Sequence, residues 1–172
     1  MRYNRDFEMS IIDFPTGLDL ENARVAREID ESDDFSDLVV KFSTDGILVC
    51  NAQGEYTLWN PAMERITGIP KEDVLGKRFL ERFPLFKGTP VEAAFNEALK
   101  GKVVELAPFE FEFPETKARG FAQQKTMPIL SEKGDVIGLM IVVRDVTESK
   151  KALDALEAEN RELKKRLGLE AR

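Results

Sequence analysis

Apolar residues recur along this chain with two different periods, and the period changes from segment to segment. Leu20, Ala23, Ala26 and Ile29 are spaced for one face of a short amphipathic helix. Phe35, Leu38, Val39 and Phe42 fall at i, i+3, i+4 and i+7, which predicts a second helix with one apolar stripe. Gly46 to Asn51 and Glu55 to Trp59 are strand-like, and Ala52-Gln53-Gly54 between them supplies the turn of a hairpin. Asn60-Pro61 reads as the N-cap and first residue of a helix: asparagine accepts an orphan N–H, and proline has none to leave unpaired. Gly68 closes that helix, and a helical turn runs from Pro70 to about Gly76. Thr89-Pro90-Val91-Glu92 has the form of a capping box. It opens a helix with Val91, Ala94, Phe95, Ala98 and Leu99 on one face, ending at Gly101.

The pattern then switches to a period of two. Phe109, Phe111 and Phe113 alternate with Glu110 and Glu112, as in a half-buried strand with a solvated acidic face. Residues 118–130 form the next strand, with Phe121, Gln123, Lys125 and Met127 on one face. Glu132-Lys133-Gly134-Asp135 is a hairpin loop, and Val136 to Val146 is apolar on both faces, as befits a central strand. There Ile137, Leu139, Ile141 and Val143 oppose Val136, Met140 and Val142. One set needs a cover, and the Phe35 to Phe42 stripe is expected to supply it, in cis or from a dimer mate. Two strands, several helices and three strands make an α+β fold with a five-stranded antiparallel sheet. A heptad pattern follows. Leu153 at a, Leu156 at d, Asn160 at a, Leu163 at d and Leu167 at a predict a parallel coiled-coil dimer, with Asn160 setting the register. Thr147 is expected to N-cap that helix through its hydroxyl. The chain thus divides into a tail at 1–33, a domain at 34–147 and a helix at 148–172.

Composition narrows the chemistry. The chain has 172 residues and a net charge of -7, with no dense basic run, which disfavours direct nucleic-acid binding. It contains no histidine, which excludes His-based triads, His metal sites and His-ligated haem. Its one cysteine, Cys50, reads as a small buried hydrophobe in a reducing compartment. No run approaches the ~20 apolar residues of a membrane span, and the N-terminus has no apolar secretory core. A soluble cytoplasmic protein is the expectation. There is no nucleophile–base pair, metal cluster or phosphate-binding glycine pattern, so catalysis is not expected. The candidate ligand face is Phe109, Phe111, Phe121, Gln123, Lys125 and Met127, with Lys125 placed to meet an anionic group. Arg144 and Asp145 close the last strand as an ion pair or a hinge.

Short motifs punctuate the domain: Asp45-Gly46-Ile47, Trp59-Asn60-Pro61-Ala62, Thr67-Gly68, Val74-Leu75-Gly76-Lys77, Gly134-Asp135-Val136-Ile137-Gly138 and Asp145-Val146-Thr147-Glu148. In that order, from about Phe35 to Thr147, they resemble the PAS domain family of sensory modules. The resemblance implies a sensory and dimerisation module of signal transduction or transcription regulation. Such a module binds a small ligand or partner and passes strain from the last strand to the helix beginning at Thr147. Asp145 and Thr147 would be its hinge. Phe35, Leu38, Val39, Phe42 and the heptad residues would form a homodimer, with an effector of unknown identity. A ligand-free dimerisation adaptor is the alternative: a solid core favours it, whereas a cavity lined by Gln123 and Lys125 favours sensing. Light-sensing members carry a cysteine just after a Gly-Lys/Arg step. Gly76-Lys77-Arg78-Phe79-Leu80 has none, so a cysteinyl-flavin is not expected. Leu85 and Phe86 stand where a coumaroyl-bearing cysteine would lie. Noncovalent flavin or an organic ligand remains open.

Overall fold

Asn60 shows how local sequence chemistry sets the architecture. In the computed structural model, which describes residues 32–166, its side-chain oxygen accepts from Met63 N at 3.0 Å and from Ile47 N at 2.9 Å. Its amide nitrogen donates to the carbonyls of Val40 and Asp45, each at 3.0 Å. One buried side chain therefore uses two acceptor and two donor positions to hold three chain segments. Helix α1 (Ser32–Phe42) ends beside it, strand β1 (Gly46–Asn51) starts at it, and helix α2 (Pro61–Thr67) is capped by it. Gly68 ends α2 with a φ of 70° in the left-handed region, the conformation a glycine adopts without a Cβ clash.

Strand β2 (Tyr56–Trp59) pairs with β1 through the expected hairpin. Helical turns at Lys71–Asp73 and Pro84–Phe86 flank the short helix α3 (Phe79–Arg82), and helix α4 (Pro90–Ala98) follows. The capping box differs from the sequence reading. Thr89 Oγ donates to Phe86 O at 2.6 Å, and the Glu92 carboxylate accepts from Gly88 N instead of Thr89 N. The preceding 3-10 turn supplies the competing carbonyl.

Strands β3 (Val104–Glu112), β4 (Arg119–Leu130) and β5 (Val136–Asp145) complete an antiparallel sheet in the order β2-β1-β5-β4-β3. The expected ββ-helices-βββ, α+β architecture is observed. Strand β5 is central, and helix α5 (Thr147–Arg166) leaves from its end. Leu139, Ile141 and Val143 face the core, and Met140 and Val142 face outward. Ile137 is 53 % exposed, because the pairing of Ile129 with Gly138 and of Leu130 with Val136 leaves it as an extra residue in a bulge. No helix among the described residues is long and apolar enough to cross a membrane. The helix expected around Leu20 to Ile29, and Leu167 of the heptads, lie outside the described residues.

Helices α2, α3 and α4 and the sheet enclose an aromatic core. Trp59 and Phe83 stack at 5.8 Å, Tyr56 meets both edge-on, and Phe79 stacks on Phe95 at 4.8 Å. Trp59 Nε1 donates to Ile69 O at 3.1 Å, so its one polar atom is satisfied inside. Full burial of a residue such as Phe83 or Leu139 is worth about 1.5–3 kcal/mol. Asn60→Ala leaves two donors and two acceptors to find new partners, and is expected to cost about 2–4 kcal/mol. Urea unfolding measures it, and a loss below about 1 kcal/mol would show that the amide does not hold the three segments together.

Candidate functional site

The aromatic core does not close completely. A cavity of about 60 Å3 lies between the inner face of the sheet and the helices, bounded by Trp59, Phe83, Phe111, Phe113, Ile141 and Gln124 among others. Its position follows from how β3 and β4 share their inner face. Phe109 stands directly opposite Ala122, and Phe111 opposite Gly120. Directly opposed residues of an antiparallel pair lie on the same face. Large β3 side chains are thus matched by small β4 ones, and the volume left over is the cavity.

No Asp, Glu, Lys or Arg lines it. Its polar groups are Cys50, Tyr56, Thr67 and Gln124. Thr67 Oγ is used locally, donating to Met63 O at 2.7 Å and accepting from Ile69 N at 3.2 Å. Gln124 Nε2 donates to Thr126 Oγ at 3.0 Å. Among the described residues, no fully buried side-chain nitrogen or oxygen is left without a hydrogen-bond partner. Burial pushes the Cys50 thiol up to about 12, and burial with the nearby Cys50 raises the Tyr56 phenol well above its ordinary value. Both groups stay protonated at neutral pH. The cavity therefore suits a small, uncharged and largely apolar molecule.

Two of the six ligand residues expected from sequence, Phe109 and Phe111, line this cavity, and four do not. Strand β4 presents Gly120, Ala122, Gln124 and Thr126 inward, one residue out of phase with the sequence reading. Phe121, Gln123 and Met127 are half-buried on the outer face, and Lys125 is exposed. The expectation of an interior Lys125 meeting an anion is corrected: it pairs across the sheet with Glu105, whose carboxylate accepts from Gln123 at 3.0 Å. The error has a physical source. Strand β4 is amphipathic in neither phase, and its largest apolar residues sit outside, where Met127 aligns with Met140 and Met140 with Val49. The missed inner residue of β4, Gln124, was signalled only indirectly: the inward phenylalanines of β3 need Gly120 and Ala122 opposite them, and that phase turns Gln124 inward as well.

The end of β5 is built as a junction. Thr147 does not cap α5 with its hydroxyl, as the sequence suggested. That oxygen accepts from Phe121 N of β4 at 2.9 Å, while Val146 N donates to Phe121 O at 2.9 Å. The Asp145 carboxylate accepts from Thr147 N at 2.9 Å, so Asp145 braces the helix start. Gly120 makes this approach possible: a Cβ there would collide with Thr147 Oγ and lie 3.3 Å from Phe111 Cζ. A ring of the cavity wall and the first residue of α5 thus meet at one glycine. Arg144 pairs with Asp45, not Asp145, at 2.7 Å. Being exposed to solvent, that pair adds little to stability.

Helix surfaces are the remaining candidates. Phe35, Val39 and Phe42 of α1 are exposed, and Leu38 is half-buried. Leu153, Leu156, Asn160 and Leu163 of α5 are exposed as well.

Comparison with known proteins gives a consistent picture. A family model described as PAS fold matches residues 41–151. The chain is 26 % identical over 126 residues to the signal transduction histidine-protein kinase AtoS of Escherichia coli, covering 73 % of this chain and 20 % of that protein. It is 29 % identical over 117 residues to the methanogenesis regulatory histidine kinase FilI of Methanothrix harundinacea, covering 66 % and 13 %. The chain therefore spans a fifth or less of either kinase. A solved PAS domain from Colwellia psychrerythraea matches with a TM-score of 0.55 at 20 % identity, covering 66 % of this chain and 96 % of that one. That last likeness concerns the fold.

The buried thiol and phenol make stability depend on alkaline pH. The unfolded groups ionise near 9.0 and 10.0, while the folded ones hold their protons longer. Their contribution is complete below the unfolded values and lost as pH rises, for Cys50 between 9.0 and about 12. The urea midpoint is expected to fall from about pH 9 upward, and to fall less steeply in Cys50→Ala. Equal slopes in the two proteins would contradict a buried, protonated thiol.

Proposed function

This chain belongs to the PAS-fold family, and from that premise we propose that it is the sensory and dimerisation module of a larger signal-transduction protein. Its cavity takes a small uncharged ligand, and occupancy biases the start of α5. The observation that carries this reading is the meeting of Phe111 and Thr147 over Gly120, which gives the cavity wall a short mechanical path to the output helix. A ligand that moves the Phe111 ring changes how well Thr147 Oγ can hold Phe121 N. The apolar stripes of α1 and α5 support a homodimer in which the two α5 helices run parallel and Asn160 pairs with its mate. The relation to histidine kinases supports a kinase or another regulatory domain as the effector. A cytoplasmic location fits the free cysteine. The residues of this chain supply binding and coupling; no catalytic role is proposed for them.

One observation favours the second reading, a constitutive adaptor. At about 60 Å3 the cavity holds only a few waters' worth of space, whereas ligand pockets run to about 300–1,000 Å3. Native mass spectrometry and hydrogen exchange on the purified chain decide. The sensor reading expects a stoichiometric small molecule whose removal speeds exchange at Phe121 N–H, with Thr147→Val giving the same acceleration. A ligand-free protein, with a dimer and Phe121 exchange indifferent to added small molecules, would establish the adaptor. For the dimer, Asn160→Leu is expected to raise Tm and to broaden the distribution of oligomers in sedimentation. A monomeric wild-type chain at high concentration would rule it out.

A further inference from the structure

Three residues of the cavity wall come from three separate elements: Thr67 ends α2, Phe83 caps α3 and Phe113 follows β3. Phe83 and Phe113 meet edge to face at 5.8 Å. One loop, residues 113–118 between β3 and β4, fastens these elements to one another. Thr116 Oγ donates to Thr67 O, and the Glu115 carboxylate accepts from Arg82 at 2.8 Å. Arg82 is itself fixed, since its Nε donates to Asp73 O at 3.0 Å and its guanidinium lies 4.8 Å from the centre of the Phe83 ring. Thr116 sits close against Gly68, where an added Cβ would come within 2.9 Å of the Thr116 Cβ. The loop is a strap across one end of the cavity, with one clasp on α2 and another on α3.

Both clasps depend on side chains of the strap. Among the described residues, no main-chain hydrogen bond joins the strap to α2 or α3. Its own ends, by contrast, are locked together: Phe113 N donates to Ala118 O and Lys117 N to Phe113 O, each at 2.8 Å. The Glu115 side chain is 50 % exposed, so water competes for its bond to Arg82. Lys117 is the one non-glycine among the described residues with a positive φ, at 61°, where its Cβ crowds the following carbonyl. A strap with a firm base, weak clasps and a strained residue releases as a unit. Release is also what the cavity requires, because Cys50, Thr67 and Phe83 on its wall are buried and a ligand reaches them only when a wall moves. We infer that the strap at 113–118 is the gate of the cavity: when the Thr116 and Glu115 clasps let go, Phe113 parts from Phe83 and small molecules pass. The inference rests on the sensory reading for its purpose and adds the route by which that ligand enters.

Cys50 is a built-in reporter, being the chain's one cysteine and part of the cavity wall. The full chain is treated with methyl methanethiosulfonate, a small neutral thiol reagent, and the mass of the intact protein gives the rate of Cys50 modification. Local opening exposes little surface, so the wild-type rate is expected to be nearly flat in urea well below the unfolding transition. Thr116→Val, which keeps the shape and removes the hydroxyl, is expected to raise that rate about fivefold, and Glu115→Gln about twofold to fivefold. Glu97→Gln breaks exposed pairs of the same kind with Lys100 and Lys102 on the far side of α4's own last turn, and is expected to change nothing. A wild-type rate that rises with urea as steeply as global unfolding would overturn the inference, because Cys50 would then be reached only through the unfolded chain. Unchanged rates in both strap variants would overturn it as well, placing the opening elsewhere in the wall. The sensory reading fails independently: a chain that carries no small molecule in native mass spectrometry, yet labels faster in the strap variants, keeps the gate and loses the natural ligand.

Discussion

Everything in this domain is referred to the side chain of Asn60. A primary amide has one acceptor and one donor group, each able to make two bonds, and all four are satisfied by main-chain groups of three segments. Main-chain partners fix position regardless of the side chains around them. The start of β1, the end of α1 and the first turn of α2 are therefore locked before core packing is considered. With β1 placed beside β5 in the sheet and α2 over β1, the cup that holds the aromatic residues has its floor and one wall. The amide is buried, so no water stands ready to replace any of the four bonds, and the arrangement has little tolerance.

Inside that cup the balance is one of volume, not polarity. Phenylalanines on β3 and on the connecting helices fill most of the space, and Gly120 and Ala122 on β4 yield to them. Charged groups are excluded by desolvation, and the acids and bases of the domain pair at its surface, as Arg144 does with Asp45 and Glu97 with Lys100 and Lys102. Ionisable groups that do sit inside, Cys50 and Tyr56, are held in their neutral forms by the same cost. An interior of this kind leaves only neutral side chains around the cavity.

The junction at Gly120 has a corresponding economy. A single absent Cβ lets a ring from the cavity wall and a hydroxyl from the helix start approach the same backbone. The hydroxyl there is paired with a strand N–H, so the helix cannot rotate without disturbing the strand next to the cavity. Packed, hydrogen-bonded neighbours of this sort shift together, because close-packed interiors are stiff.

The element order, the Asn60 cap and the Gly68 stop were legible in the amino-acid sequence, because each depends on residues a few positions apart, and the antiparallel α+β fold followed from that order. So were Phe109 and Phe111 as inward-facing residues, since alternation with glutamate leaves only one phase for that strand. The phase of β4 was not legible. Phe121 and Met127 are more apolar than Ala122 and Gln124, and hydrophobicity alone pointed to the wrong face. Which face turns inward was decided by the neighbours: Phe109 and Phe111 need small residues opposite them, and Met140 and Val49 offer an apolar outer surface. The partner of the Thr147 hydroxyl was likewise a matter of tertiary structure. A threonine before a helix is a competent cap for its own first turn, but only the folded sheet brings Phe121 N within 2.9 Å of it. Local patterns fix what a segment can become; the free volume and the unpaired groups of its neighbours, which exist only after folding, decide which way it faces and what it holds.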